Sequence, residues 1–261
     1  MKTKRVFVLS LLFVASALFE GCDKGVIAPS NAVRLVSKMD LFMNNEYGGE
    51  VNLSSKIEFR YDVQDRITTM IHTNENGITT NNNISYSNDN TMVVGASTYM
   101  LNGDGFVTSR SDNGQLKETR SYNNGYLQEM VLFSEMATIP IVSTYSYFWE
   151  NGNIKSEVIE ISFLTDPVSK ISVTSIYEYN KSLRNKPCSM DFGIHYVGTP
   201  YGWYGKSTLN LPSKIVHKRE DGTEDITTIR YETDTDSYPV KIFVRENNSK
   251  EALRTIIKYD D

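Results

Sequence analysis

From about residue 50 onward the chain alternates. Ile57, Phe59 and Tyr61 fall on one face of an extended segment, and Glu58 and Arg60 on the other. Val240, Ile242 and Val244 likewise oppose Lys241 and Arg245. A period of two is the mark of strands with one buried face. Turn dipeptides punctuate these runs: Asn76-Gly77, Asn102-Gly103, Asp104-Gly105, Asn113-Gly114, Asn124-Gly125, Asn151-Gly152 and Asp221-Gly222. Asn-Gly and Asp-Gly favour the positive φ of tight hairpin turns. The steps from Asn102 to Asn113 to Asn124 are 11 residues each, one strand plus one turn. The flanking steps, Asn76 to Asn102 and Asn124 to Asn151, are 26 and 27 residues, or two strands each. Unmarked turns are therefore expected near Asn88-Asp89 and between Ser134 and Pro140. The pattern predicts an all-β antiparallel meander of many hairpins. Only Ala32 to Asn44 offers a helix.

Some predicted strands are polar on both faces. Leu116 to Tyr122 reads Leu-Lys-Glu-Thr-Arg-Ser-Tyr. A strongly curved sheet with a wet concave side tolerates such a strand better than a dry sandwich does. The expectation is therefore a strongly curved sheet or partly open barrel standing in water. An outer-membrane barrel would show strands of about 10 residues with an unbroken apolar outward face and aromatic girdles. Here Lys, Glu and Arg interrupt most candidate outward faces.

The N-terminus changes the picture of where this domain resides. Lys2, Lys4 and Arg5 precede an apolar run from Val6 to Phe19. That run is short for a bilayer span, which needs about 20 residues, and right for a secretory signal. It leads to Leu18-Phe19-Glu20-Gly21-Cys22, which resembles a lipobox: the small Gly21 stands directly before the thiol that becomes acylated. The chain divides into a lipoprotein signal peptide over 1–21, an N-terminal tether over 22–49 holding a short helix or first strand, and one β domain over 50–261. Lipid on Cys22 would anchor the protein to the outer membrane, facing the periplasm or the cell surface. Asp23 after the cysteine is the kind of acidic residue that accompanies surface export in Bacteroidota-type lipoproteins.

Cleavage before Cys22 removes Lys2, Lys4, Arg5 and Glu20 and takes the net charge from −5 to −7. With no basic stripe, nucleic acid is not an expected partner. Cys188 is the only other cysteine, and it reads as a buried small residue.

A loose unit recurs: an alternating strand ending in an aromatic residue, a turn, then an aliphatic residue opening the next strand. It appears as Phe59-Arg-Tyr-Asp-Val-Gln-Asp-Arg-Ile67, Arg120-Ser-Tyr-Asn-Asn-Gly-Tyr-Leu127, Tyr145-Ser-Tyr-Phe-Trp-Glu-Asn-Gly-Asn-Ile154 and Ile229 to Val240. The aromatic ring would cover the hairpin end. The unit resembles the YD-type repeat of RHS proteins in degenerate form. More specifically, Lys186-Pro187, Asn210-Leu211-Pro212 and Tyr238-Pro239 resemble a family of Bacteroidota-type lipoproteins carrying a domain of unknown function with a porin-like fold. Ser237 stands where that pattern has glycine. The resemblance implies the fold and the envelope location, and it implies no catalytic residue.

Candidate chemistry is sparse. His72, His195 and His217 are the only histidines, and none has metal-ligand spacing. A Ser-His-Asp site could assemble over distance, but no G-x-S-x-G elbow supports one. Glu232, Asp234 and Asp236 alternate and would face one way on an extended segment, as a hard-cation site does; a solvated acidic turn is the other reading. Tyr196, Tyr201, Trp203 and Tyr204 crowd a Gly/Pro-rich stretch. They would stack on sugar rings or fill a partner's pocket, or else fold back and plug the barrel. Tyr147 and Trp149 read as core. No cofactor is implied. The expected function is a non-enzymatic ligand-binding module, with glycan as a candidate ligand. A structural lipoprotein docking on an outer-membrane partner is the alternative, and a hydrolase the third reading.

Overall fold

The computed structural model describes residues 34–44, 51–87, 90–136, 139–186, 188–193, 199–200 and 204–260. The expectations for the signal peptide, Cys22, His195, Tyr196, Tyr201 and Trp203 concern residues outside that set. Every regular element described is a strand. In chain order they are β1 (Val36–Asn44), β2 (Val51–Tyr61), β3 (Ile67–Asn74), β4 (Thr79–Tyr86), β5 (Thr91–Val94) and β6 (Ser97–Leu101). Then come β7 (Val107–Asp112), β8 (Gln115–Asn123), β9 (Tyr126–Met136), β10 (Ile139–Glu150), β11 (Asn153–Phe163) and β12 (Asp166–Arg184). Short β13 (Met190–Asp191) and β14 (Thr199–Pro200) precede β15 (Asn210–Arg219), β16 (Glu224–Thr233), β17 (Pro239–Glu246) and β18 (Ala252–Tyr259).

Sixteen strands form a closed antiparallel barrel, and β13 and β14 pair apart from it. Two expectations are corrected. Within the stretch that offered a helix, Val36–Asn44 is strand β1, as the first-strand alternative had it: Met39 and Leu41 point inward between Lys38 and Asp40, and a bulge after Val36 takes up the extra polar residue. The barrel is closed rather than partly open, because β1 pairs with β18 on one side (Met39 with Ile257) and with β2 on the other (Met39 with Ile57). The strand that looked helical is the one that closes the wall.

Turn chemistry accounts for the meander. Asn113-Gly114, Asn124-Gly125 and Asn151-Gly152 each have positive φ at both residues and join neighbouring strands directly, the geometry that matches strand twist. A second turn is used four times. Asp62, Asn74, Asn102 and Asp234 each accept, through Oδ1, the backbone N–H groups two and four residues ahead, at 2.8 to 3.1 Å. Its positive-φ position holds Asp65, Gly77, Gly105 and Ser237. Ser237 thus adopts the left-handed conformation that glycine would supply (φ 65°). The two unmarked turns fall where expected, between β4 and β5 and between β9 and β10, but a further turn at Gly95-Ala96 puts three strands rather than two between Asn76 and Asn102.

Paired residues share a face, so the register separates inside from outside. Met39, Ile57, Met70, Met92, Tyr99, Tyr145, Ile229, Ile242 and Ile257 are buried and belong to one continuous cluster inside the wall. Outward positions alternate with them. The row Glu58, Lys38 and Lys258 and the row Glu232, Lys241, Ile256, Asp40 and Lys56 run across adjacent strands on the outer surface.

Candidate functional site

The chain between β12 and β15 crosses one end of the barrel. The start of β1 lies at this end, together with the turns after β2, β4, β6, β8, β10 and β16. Ser189 donates its N–H to Arg34 O at 3.1 Å, and its Oγ accepts from Val36 N at 2.8 Å. Farther along, Gly205 bridges Tyr126, Lys206 N donates to Gly125 O at 2.7 Å, and Leu209 N to Gly152 O at 2.7 Å. In a ring of sixteen, β9 is the eighth strand from β1 in either direction. The described parts of the segment are therefore tied to diametrically opposite points of the rim. Glycine is required at the far attachment: a Cβ on Gly205 would lie 2.4 Å from Gly125 O, at a φ of 79°. A Cβ on Gly193 would lie 1.9 Å from Thr208 Oγ1.

The same end carries a ring of aromatic donors, each near the end of one strand and reaching the start of its neighbour. Tyr61 donates to Val36 O (2.6 Å), Tyr86 to Ile67 O (3.0 Å) and Tyr122 to Val107 O (2.6 Å). Trp149 Nε1 donates to Leu127 O (2.7 Å) and Tyr259 to Pro239 O (2.9 Å). These rings cover the hairpin ends as the recurring sequence unit suggests, with the aromatic body packed inward and the polar tip satisfied. Asn210 ties the segment to two strands: its N–H donates to Asn153 Oδ1 (2.9 Å) and its side-chain amide to Lys181 O (3.3 Å).

Beneath the cap lies a buried polar cluster. Arg120 and Glu118 form an ion pair with both side chains essentially removed from solvent. This corrects the reading of Leu116 to Tyr122 as a strand with a wet concave face. Glu118 and Arg120 are 2% and 6% exposed, and the strand is polar inside because the two charges satisfy each other. The Arg120 guanidinium lies 4.4 Å from the centroid of the Tyr204 ring, so the cap's own aromatic residue closes over the pair. Beside them Tyr177 donates to Glu157 at 3.2 Å. Burial pushes the Glu157 carboxyl above its usual range, against hydrogen bonds from Tyr147, Tyr177 and Ser175 that favour the ionised form. Ser175 also contacts His217 Nδ1 at 2.9 Å. Burial lowers the His217 pKa, opposed by nearby Asp225.

Ser175 with His217, next to Asp225 in register, is the nearest approach to a nucleophilic constellation. Ser175 is fully buried, and it meets Nδ1, the nitrogen that an orienting carboxylate would occupy in a triad. The contact serves the buried hydrogen-bond chain. Sequence reading missed this cluster apart from one signal, the charges in the both-faces-polar strand at 116–122.

The other predicted positions are dispersed. Tyr204 is buried in the core cluster, folded back into the barrel rather than displayed. Tyr147 is buried and Trp149 half-buried, as expected of core residues. Cys188 is buried, its thiol donates to Met190 O, and burial pushes its pKa up to about 12. His72 is half-buried, facing inward opposite Ile57. Glu232, Asp234 and Asp236 do not converge on a cation. Glu232 pairs with Arg230 and Lys241 on the outer wall, Asp234 is the turn residue and pairs with Arg34, and Asp236 offers its carbonyl to Lys186. Among the described residues no group of His, Cys, Asp and Glu is arranged to hold a metal.

No family model matches the chain, and no curated protein does. Solved structures do. A porin-like protein from Bacteroides vulgatus aligns with a TM-score of 0.57 at 14% identity, over 87% of this chain and 99% of that one. A porin-like protein from Bacteroides uniformis aligns with a TM-score of 0.56 at 17% identity, over 86% and 98%. At these identities the likeness is one of fold: this chain has a porin-like barrel.

Proposed function

We propose that this barrel stands in water, tethered to the bacterial envelope by lipid on Cys22, and that it binds rather than catalyses. The observation that carries the first part is its wall. A bilayer-crossing barrel needs an apolar outward band about 25 Å tall on strands of about 10 residues. Strands β5, β6 and β7 have 4, 5 and 6 residues. At about 3.3 Å per residue they rise roughly 13 to 20 Å before tilt. The outer face carries Lys38, Asp40, Lys56, Glu58, Arg230, Glu232 and Lys241, so charge interrupts the apolar band that a bilayer-crossing exterior needs. The aromatic-turn-aliphatic unit and the lipobox support placing the chain with the porin-like envelope lipoproteins it resembles. The binding reading draws support from the buried, structural character of every acid, histidine and cysteine in the interior cluster.

The test joins two measurements. Labelled palmitate should enter the wild-type protein and not a Cys22→Ala variant, and purified protein added to planar bilayers should give no conductance. Discrete channel steps would sink the water-facing reading; unlabelled wild type would sink the anchor.

A further inference from the structure

The outer wall is not uniform. From β9 through β10, β11, β12 and β15 to β16 every strand is long, with 10 to 19 residues each. Across them runs one outward row in register: Phe148, Ser156, Ile176, Val216 and Ile226. Phe148, Ile176 and Ile226 are 52%, 36% and 37% exposed. At one end of the row Phe148 projects as a knob. At the other, Ile226 lines a groove of about 680 Å³ together with Lys214, Glu224, Thr228, Arg245 and the turn at Asn247–Ser249.

From this arrangement we infer that the β9–β16 wall is a two-fold interface with a second copy of the chain, each Phe148 entering the partner's Ile226 groove. The row is self-complementary. A two-fold axis through its centre, at Ile176 on β12, exchanges its ends and brings knob to groove on both sides at once, as an isologous contact requires. The charges flanking the row neutralise each other within one copy, Lys214 with Glu178 and Lys218 with Glu224. Two acidic chains can therefore approach here without like-charge repulsion. Arg245 at the groove rim can receive the incoming ring on its guanidinium. Six strands at ~4.8 Å spacing and about ten residues of ~3.3 Å rise give an outward wall on the order of 800 Å², an upper bound for each copy that is level with its share of a standard interface. The β5–β7 side is too short to offer as much.

The inference rests on the wall facing water, and the experiment separates the two. Cells making the full chain with Ile176→Cys are treated with a mild thiol oxidant, and in parallel with a polar maleimide. Cys188 is buried and Cys22 acylated, so the unsubstituted chain serves as the silent control. The expected result is a disulfide-linked dimer of Ile176→Cys. Adding Phe148→Lys should reduce it about tenfold or more, because the aromatic knob is lost at both ends of the two-fold contact at once, while leaving the thiol reactive to maleimide. Phe148 points outward, so lysine there is compatible with folding. A reactive thiol with no dimer in either background overturns the interface and leaves the water-facing wall standing. A thiol that neither crosslinks nor reacts in either background overturns both. An equal dimer yield from Thr98→Cys on the short-stranded side would show random collision, and a crosslink to a different protein would assign the wall to another partner; either overturns the inference.

Discussion

Replacing Arg120 by methionine isolates the interior ion pair. The Arg120 and Glu118 side chains are 0% and 3% exposed, so the substitution strips the Glu118 carboxylate of its hydrogen-bonded counter-charge in a site closed to water, with Arg110 opposite it in register on β7. Removing one partner of such a pair costs about 3–5 kcal/mol. The lost stacking on Tyr204 adds up to ~2 kcal/mol when desolvated. Taking about 4 kcal/mol as the working figure and about 3 kcal/mol per M for urea, the unfolding midpoint should fall by somewhat more than ~1 M. The informative comparison is the double variant Glu118→Leu/Arg120→Met. If the cost of the single change is that of an orphaned charge, removing the charge as well should return stability to within about 1 kcal/mol of wild type, because apolar replacement of a whole buried pair is near neutral. Urea titration of the three proteins, followed by far-ultraviolet circular dichroism, measures the cycle. A double variant as unstable as the single one would refute the argument, as would a single variant within about 1 kcal/mol of wild type.

Other expectations follow from the same geometry. Glu157 has a folded-state pKa raised by burial above its unfolded value, so its ionised form is the costly one. Wild-type stability should decline as pH rises through the interval above the ordinary carboxylate value, and Glu157→Gln should be the more stable protein at pH 7.5 and show no such advantage at pH 4. Paired urea midpoints at the two pH values give the sign. Gly205→Ala places a methyl against Gly125 O at a strained φ and should free that end of the cap; amide exchange at Lys206 should rise well before global unfolding, and unchanged protection would contradict the attachment. Tyr61→Phe removes the bond to Val36 O and the 2.8 Å contact with Ser189 Oγ. It should cost roughly 1–2 kcal/mol in thermal or urea unfolding.

The turn residues and the alternation of Ile57, Phe59, Ile242 and Val244 were enough to read an all-β meander, because hairpin geometry and period-two burial are local consequences of residue type. They also placed strands where no glycine marks the turn. Closure was not legible: β1 and β18 lie at opposite ends of the described chain, and no local pattern reports that Met39 pairs with Ile257. The same holds for Leu116 to Tyr122. Its sequence shows charges on an inward face, but whether that face is wet or carries a sealed ion pair depends on Tyr204, more than eighty residues away. Glu232, Asp234 and Asp236 look alike in one dimension and are separated by their partners Lys241, Arg34 and Lys186, each supplied by another part of the fold. By itself the sequence determined most of the strands and turns and the lipobox-like N-terminus. Only the tertiary structure decided that the wall closes, that the β12–β15 segment is tied across its rim, and that Tyr204 seals the Glu118–Arg120 pair, because each of these is a contact between positions remote along the chain.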